Sequence, residues 1–253
     1  MDVTLPGIGF LIGVLTGLTS MGGAALMTPF LILVLGVRPV IAVGTDLACS
    51  ALTKLVGAVI HWRQGTVDMT VVRRLAFGSL PASLLGVTAV ALLVRSGIDP
   101  DRHVRHALGV VLVVVGALLI GRTVGWLSWH SPAAWIEKQR GVLTVVWGAA
   151  AGFAVGLTSV GSGSLIAPML MALYRLSAAQ VAGTSVFHAA ILVTVTAVGH
   201  AGVGTVDWPL AAGLLAGSVP GVVVGSYLAP RLPAKMLRFG LACVLLASGL
   251  KLV

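Results

Sequence analysis

The sequence Gly-Leu-Thr-Ser-Met-Gly-Gly at residues 17–23 returns as Gly-Leu-Thr-Ser-Val-Gly-Ser at residues 156–162. The offset between the copies is 156 − 17 = 139 residues, and an apolar run with a proline, Pro29 or Pro168, follows each copy. The same offset relates further paired motifs: Gly-Thr at 44–45 and 183–184, Gly-Thr-Val-Asp at 65–68 and 204–207, and Gly-Ser at 78–79 and 217–218. Matched apolar segments that glycines interrupt are typical of transporters with a binding site between two repeats.

Apolar residues make up 58% of the 253-residue chain and charged residues only 9%, which is more apolar than a soluble domain of this length. The sequence therefore predicts an integral membrane protein. Its apolar stretches mostly reach the roughly 20 residues of a helical crossing, so we expect an all-α, polytopic fold; a β-barrel would show short alternating segments. The stretches lie near residues 5–36, 40–61, 70–94, 104–125, 141–174, 178–200, 208–229 and 235–253.

The first apolar stretch of each half is too long for one crossing. A single helix over residues 5–36 would measure about 48 Å, against a hydrocarbon core of about 30 Å. The repeated glycines lie in the middle of both stretches, 5–36 and 141–174, so we expect two half-length helices to meet there. The two helices form either a bent crossing or a re-entrant hairpin that returns to the side from which it entered.

The distribution of basic residues favours hairpins. If every stretch crosses once, the basic residues of the loops divide seven against eight, which favours no orientation. With hairpins they divide ten against five. Each repeat then consists of a broken, re-entrant helix pair plus three transmembrane helices. Because three is an odd number of crossings, the two repeats are predicted to be inverted, and both chain ends are predicted to face outward.

The two halves define the predicted organisation of the chain. Residues 1–125 form the first transmembrane repeat and residues 141–253 the second. Residues 126–140 are predicted to be an interfacial linker, because tryptophans alternate there with polar and basic residues and tryptophan favours the headgroup region. The net charge of +9 comes from basic residues at span ends, which we interpret as membrane anchors rather than a surface for nucleic acid.

The glycine-rich breaks are the predicted binding site. A helix that begins within the membrane leaves backbone N–H groups unpaired and a partial positive charge at its N-terminus, which favours an anionic guest. Small residues let the guest approach the backbone, and hydroxyls add donors. The alternative is that the small residues only allow close helix packing. The predicted substrate-binding residues at the breaks are Thr19, Ser20, Gly22, Gly23, Thr158, Ser159, Gly161, Ser162 and Gly163.

Asp46 and Lys54 are charged residues within one predicted membrane helix. A charge at this depth costs at least about 2.5 kcal/mol, so both should face the protein interior or water. Asp46 either exchanges a proton during transport or caps a helix, and Lys54 is a counter-charge for the substrate, a partner of Asp46 or a snorkelling residue. The second repeat has Ser185 and Val193 at these positions. It adds His188, which is either a proton carrier or a histidine hydrogen-bonded between helices.

No enzyme motif competes with transport. The chain has no His-Glu-x-x-His, no Gly-x-Ser-x-Gly and no phosphate-binding Gly-Lys-Ser/Thr motif, and its seven acidic residues are spread along the sequence. We therefore expect no enzymatic activity, no cofactor and no metal site.

The doubled Gly-Leu-Thr-Ser-x-Gly motif with its proline, and with Gly-Thr about fifteen residues further on, resembles the TauE/SafE family of sulfite exporters. The likeness covers the chain from Gly7 to its end. It implies transport of small sulfur-containing anions, including sulfite and organosulfonates, or of some organic anions, with coupling to protons. It also implies that the break residues form the substrate cradle, to which the Gly-Thr pairs add Thr45 and Thr184.

Together these observations predict a secondary transporter, an exporter in a bacterial-type cytoplasmic membrane, whose small anionic substrate binds between the two breaks. Asp46 and His188 are the candidates for proton coupling because a pH gradient acts through a group that changes its charge. Two alternatives stay open. A passive anion channel or permease would use the same site without a proton-linked residue, and a non-transporting membrane scaffold would use the repeat only for packing. The expected partners are the anion, protons and the lipid bilayer.

Overall fold

The computed structural model describes residues 4–19, 24–124, 134–228 and 234–253, and in these ranges the chain is helical apart from short connections. The helices are α1 (Thr4–Thr19), α2 (Ala24–Leu33), α3 (Pro39–Arg63), α4 (Met69–Arg95), α5 (Pro100–Val124), α6 (Ala134–Thr158), α7 (Ile166–Leu173), α8 (Ala178–Val203), α9 (Trp208–Leu228) and α10 (Ala234–Leu252). Of the predicted linker, residues 134–140 begin α6, and residues 126–133 lie outside the described residues.

Six of the described helices are long and apolar enough to cross a membrane. They are α3, α4, α5, α8, α9 and the part of α6 from Glu137 to Thr158. Two shorter apolar helices, Leu5–Leu18 in α1 and Phe239–Leu252 in α10, accompany them. The predicted all-α, multi-pass membrane fold is therefore confirmed.

Helices from the two halves pack on each other in a reciprocal pattern. α1 packs along α9, while α6, the counterpart of α1, packs along α4, the counterpart of α9. α3 packs on its own counterpart α8, and α5 packs on α10. The hydrophobic core is consequently shared between the repeats, so that Leu47 of α3 lies in one cluster with Leu192 of α8. Neither half buries its apolar face alone.

Glycines bring the two crossed helix pairs close together. A Cβ added at Gly148 of α6 would lie 2.7 Å from the carbonyl oxygen of Leu75 in α4, which is closer than real Cβ atoms come. Small residues at every fourth position let two membrane helices touch along their backbones. Close packing thus accounts for the first glycine of each repeated motif as well. The glycines that face a partner backbone in these two pairs are Gly9, Gly13 and Gly17 on α1, Gly217, Gly221 and Gly225 on α9, Gly148, Gly152 and Gly156 on α6, and Gly78 and Gly86 on α4.

The segment from α6 to α7 folds back on itself. Arg175, which follows α7, lies 3.6 Å from Glu137 in the first turn of α6 (Nη2 to Oε1). The hydroxyls of Tyr174 and Thr144 are 2.8 Å apart. The start of α6 and the end of α7 are therefore at the same end of the bundle, as in a hairpin. Arg74, near the start of α4, donates to the Tyr174 hydroxyl over 3.4 Å and marks that end.

The segment from α1 to α2 folds back at the opposite end of α4. Leu5 and Pro6, at the start of α1, line a cavity of about 540 Å³ with Leu35 and Val37, which follow α2. The start of α9 lines the same cavity. The turn before α9 and the turn after α4 line a second cavity together, so the start of α9 and the end of α4 lie at the same end of the bundle. Two hairpins that open at opposite ends are the arrangement that inverted repeats require, and which end faces outward stays a prediction.

A turn from each repeat docks on the other repeat. Thr45 Oγ1 accepts a hydrogen bond of 3.0 Å from the backbone N–H of Asp207, and Thr184 Oγ1 accepts one of 3.0 Å from the N–H of Asp68. The glycine before each threonine makes room, because a Cβ there would overlap the docked turn. This reciprocal contact explains why the Gly-Thr and Gly-Thr-Val-Asp motifs recur at the same offset.

Replacing Thr45 with valine should lower the stability of the fold by about 1 kcal/mol, because it keeps the volume of the side chain but removes the acceptor of the Asp207 N–H. Thr184→Val should have a similar effect at the other turn. The matched control is Thr53→Val, since Thr53 donates only to carbonyls of its own helix. Thermal unfolding in detergent measures the difference. An unchanged melting temperature together with weaker anion binding would instead place Thr45 in the substrate site.

Candidate functional site

The second repeated motif forms a break between two helices. α6 ends at Thr158 and α7 begins at Ile166. Between them Ser159 and Gly161 have φ angles of 64° and 115°, in the left-handed region, which interrupts the helix. Gly161 adopts such a conformation freely, whereas Ser159 needs contacts that hold it there.

Backbone amides line this break. The N–H of Val160 donates to Thr158 Oγ1 at 3.3 Å, and the N–H of Leu165 donates to the carbonyl of Gly161 at 3.2 Å. The N–H groups from Gly161 to Ser164 take part in none of the backbone hydrogen bonds that the described residues make outside their helices. The hydroxyl of Ser164 is buried and also has no partner within the described ranges. The break thus presents donors that an anion can satisfy.

The first break lies between α1, which ends at Thr19, and α2, which begins at Ala24. The predicted residues Ser20, Gly22 and Gly23 lie outside the described residues, as does the side chain of Thr19. The geometry of the site is therefore that of the second break and the helices around it.

Asp46 belongs to the first repeat and binds the break of the second repeat. Its side chain is fully buried in α3. Ser159, at the break, donates to Oδ2 at 2.9 Å, Thr28 of α2 donates to the same oxygen, and Ser50 donates to Oδ1 at 3.2 Å. An ionised carboxylate only accepts hydrogen bonds, so three hydroxyl donors suit its charged form. The contact also explains how Ser159 keeps its left-handed backbone.

Lys54 contacts the same break two turns further along α3. Its Nζ donates to the Ser162 hydroxyl at 3.1 Å, and its side chain is partly buried. The offset of eight residues from Asp46 to Lys54 corresponds to about 12 Å of helix. One acidic and one basic side chain of the first repeat therefore bracket the break of the second. The predicted residues Ser159 and Ser162 are brought together with both predicted charges.

Five of the polar residues around the break lie at positions where the repeats differ. Asp46 and Lys54 correspond to Ser185 and Val193 in the second repeat. Thr28 and Ser50 correspond to Ala167 and Ala189, and Ser162 corresponds to Gly23. The repeats share the break motif itself, including Ser159, whereas these five differing positions place polar side chains at one break only. This is the pattern expected when one half of a duplicated protein has acquired a polar site.

The hydrogen bond of His188 is to α4 and not to the break. Its ring is fully buried, and Nε2 lies 2.8 Å from the hydroxyl of Ser79 on α4. Nδ1 has no partner among the described residues. The hydroxyls of Thr45 and Thr184 are engaged by the docked turns described above. The structure thus brings Asp46 and Lys54 to the break and gives these three residues other contacts.

Two buried groups near the site were not among the predicted residues. Thr28 precedes Pro29, and only its replacement by Ala167 in the second copy could have singled it out. His200 is fully buried, and its Nε2 lies 2.9 Å from the carbonyl oxygen of Gly156, three residues before Ser159. Its counterpart His61 has a similar sequence context, so nothing in the sequence separates the two histidines.

The donor set at the break suits an anion. It consists of hydroxyls, an ammonium group and backbone amides, whereas metal sites need carboxylate, imidazole or thiolate ligands. Among the described residues, no three His, Cys, Asp or Glu side chains come together in a way that could hold a metal ion.

Comparison with known proteins places these features in context. Residues 5–252 match the family described as "Sulfite exporter TauE/SafE". The chain is 44% identical to the probable membrane transporter protein YjnA of Bacillus subtilis over the full length of both. It is 28% identical to a probable membrane transporter protein of Xylella fastidiosa, covering 90% of this chain and 85% of that protein. It is 25% identical to YdhB of Bacillus subtilis, another probable membrane transporter protein, over 96% and 97%. No solved structure matches the chain.

Proposed function

We infer a transport function for this chain, which belongs to the sulfite exporter TauE/SafE family of membrane proteins. We propose that it is a secondary transporter of a small anion such as sulfite or an organosulfonate. In this proposal the anion binds at the helix breaks, moves outward across a cytoplasmic membrane and is coupled to protons. Both ends of the chain would face outward.

The observation that carries the proposal is the contact of two charged side chains of one repeat with the break of the other. Lys54 donates to Ser162, and Asp46 accepts from Ser159. An anion at the Gly161–Ser164 amides would gain the ammonium group and these N–H donors together. Because these groups belong to different repeats, a rocking motion of one repeat against the other would assemble the site and take it apart.

The charges also give a reason for coupling to protons. Asp46 and Lys54 balance each other in the empty site. An anion that binds beside Lys54 adds a negative charge near a buried carboxylate, which is unfavourable in a medium of low dielectric. A proton on Asp46 removes that repulsion. Protonated Asp46 would also need a hydrogen-bond acceptor, so the Ser159 or Thr28 hydroxyl would have to turn.

Transport is tested with purified protein in liposomes. We expect radiolabelled sulfite or an organosulfonate to cross the membrane, and a pH gradient to drive its accumulation. Lys54→Gln should weaken anion binding by about tenfold or more, because it removes the charge but keeps a donor near Ser162. Empty liposomes are the control. If no sulfur anion or organic anion crosses, the proposal is wrong, and flux that ignores the gradient while carrying current in planar bilayers would indicate a channel.

A further inference from the structure

His200 is a buried histidine with a partner on each ring nitrogen. Nε2 lies 2.9 Å from the carbonyl oxygen of Gly156 in the last turn of α6, and Nδ1 lies 2.8 Å from Thr205 Oγ1. A carbonyl oxygen only accepts, so Nε2 carries a hydrogen. The ring is therefore either a neutral imidazole protonated on Nε2 or an imidazolium.

The hydroxyl of Thr205 fits both states of His200. It lies 3.0 Å from the backbone carbonyl oxygen of His200 as well as 2.8 Å from Nδ1. When the ring is neutral, the hydroxyl can donate to Nδ1. When the ring is an imidazolium, Nδ1–H can donate to Oγ1, while the hydroxyl donates to the carbonyl oxygen. The histidine can thus gain a proton without losing a hydrogen bond.

Thr205 lines a cavity at one end of the bundle. It has a volume of about 300 Å³, and Thr205 lines it together with Arg38 and Asp99 at the starts of α3 and α5. Thr205 is therefore in contact with the cavity on one side and with a fully buried imidazole on the other. Water that fills the cavity can exchange protons with the Thr205 hydroxyl.

We propose that this cavity, Thr205 and His200 form a proton path to the second break. A proton passes from water in the cavity to Thr205 Oγ1 as the hydroxyl gives its own proton to Nδ1 of His200. The imidazolium then places a positive charge at the end of α6, where the helix dipole favours a cation and from which Ser159 is three residues away. An anion at the break binds more tightly when His200 is charged, so anion binding takes up a proton there.

The path belongs to one repeat only. His61, the counterpart of His200, has Nδ1 3.0 Å from Thr66 Oγ1, the same local pair. The ring of His61 is partly exposed, and it makes no hydrogen bond to α1 within the described residues. The break at which the anion is proposed to bind is thus the one that a histidine reaches.

The helices that pack against α8, which carries His200, hold further charged groups. Ser159 connects α6 to Asp46, the only acidic residue within α3. α6 carries its own charged residues in its first two turns, far from Gly156. The charged residues at the cavity end of the bundle are Arg38, Arg95, Asp99, Asp101, Arg102, Arg105 and Asp207. Away from that end, α3 also carries Lys54, His61 and Arg63, α4 carries Arg73 and Arg74, and α8 itself carries His188. Among the described residues, Asp46, Lys54 and His200 are therefore the titratable groups next to the break, and Asp46 and His200 are the two that the proposal protonates when the anion binds.

The inference rests on the proposed function and is tested by counting protons. The probe is isethionate, a sulfonate whose own charge is constant from about pH 5 to about pH 9, and a pH indicator reports the protons taken up as it binds. We expect the affinity for isethionate to fall as pH rises, because the anion binds more tightly when Asp46 and His200 are protonated. His200→Gln, which keeps a donor for Gly156, should lower the uptake by up to about one proton per anion. Asp46→Asn should remove a separate proton, and His61→Gln should change nothing.

Histidine NMR tests the path without any anion. The imidazole signal that disappears in His200→Gln belongs to His200. If His200→Gln does not fold, the signal is assigned as the one that Thr205→Ser perturbs. We expect it to shift as the pH is lowered, and its proton exchange with water to slow by at least about tenfold in Thr205→Val but not in Thr205→Ser. A His200 signal that stays constant overturns the proposed path, as does unchanged proton uptake in His200→Gln. If isethionate and sulfite do not bind at all, the proposed function is wrong, and the NMR titration still decides whether the path exists.

Discussion

Replacing Asp46 with asparagine is expected to reduce proton-driven anion transport by at least about a hundredfold, the lower range for the loss of a positioned proton-transfer group. Asparagine has nearly the same size, so the packing of α3 against α2 and the second break should survive. It cannot exchange a proton, and its amide nitrogen donates where the carboxylate accepts from Thr28, Ser50 and Ser159. Accumulation of labelled anion in liposomes with an imposed pH gradient measures the effect.

Two controls separate this role of Asp46 from a structural one. Ser185→Ala changes the corresponding position of the second repeat, where the hydroxyl is buried without a partner among the described residues, and it should leave transport within about twofold of the original protein. Thermal unfolding of Asp46→Asn shows whether the fold is retained. A folded Asp46→Asn protein that still accumulates anion in response to a pH gradient would contradict proton coupling at this residue.

The helices and the place where they break could be predicted from the sequence because both depend on local chemistry. Apolar length determines which helices can cross the membrane, and glycines with hydroxyl residues mark the break between Thr158 and Ile166. The pairing of α1 with α9 and of α6 with α4 could not be predicted in this way. In a chain with apolar residues on every side, hydrophobic periodicity does not tell which face meets another helix.

Residues of the candidate site could be singled out from the sequence where they break the apolar pattern, but not where they depend on how a hairpin packs against the next helix. Asp46 and Lys54 stand out because a charge within a membrane helix is costly. Thr28 and His200 do not stand out, since threonine and histidine are common in membrane helices that hydrogen-bond to a neighbour. Each of their contacts, Thr28 with Asp46 and His200 with Gly156, joins the hairpin of a repeat to the helix that follows it in the same repeat. Predicting such contacts requires the fold.

Replacing Gly217 with alanine is expected to destabilise the protein by at least about 2 kcal/mol, the range for overpacking. A Cβ at Gly217 of α9 would overlap the carbonyl oxygen of Pro6 in α1, and a Cβ at Gly78 of α4 would overlap that of Val145 in α6. Backbone carbonyls cannot turn away as a flexible side chain can, so α1 or α6 must shift. Because the two glycines occupy corresponding positions in separate helix pairs, the effects of Gly78→Ala and Gly217→Ala should be additive.

Gly240→Ala provides the control of opposite sign. Gly240 lies within α10, and a Cβ added there meets no atom within 4 Å. Alanine lowers the conformational freedom of the unfolded chain and should therefore stabilise the helix by about 0.5–1 kcal/mol. Thermal unfolding followed by size-exclusion chromatography in one detergent compares the three variants. If Gly217→Ala melts at or above the temperature of Gly240→Ala, the backbones of α1 and α9 are not in contact, and the reciprocal packing of the repeats must be revised.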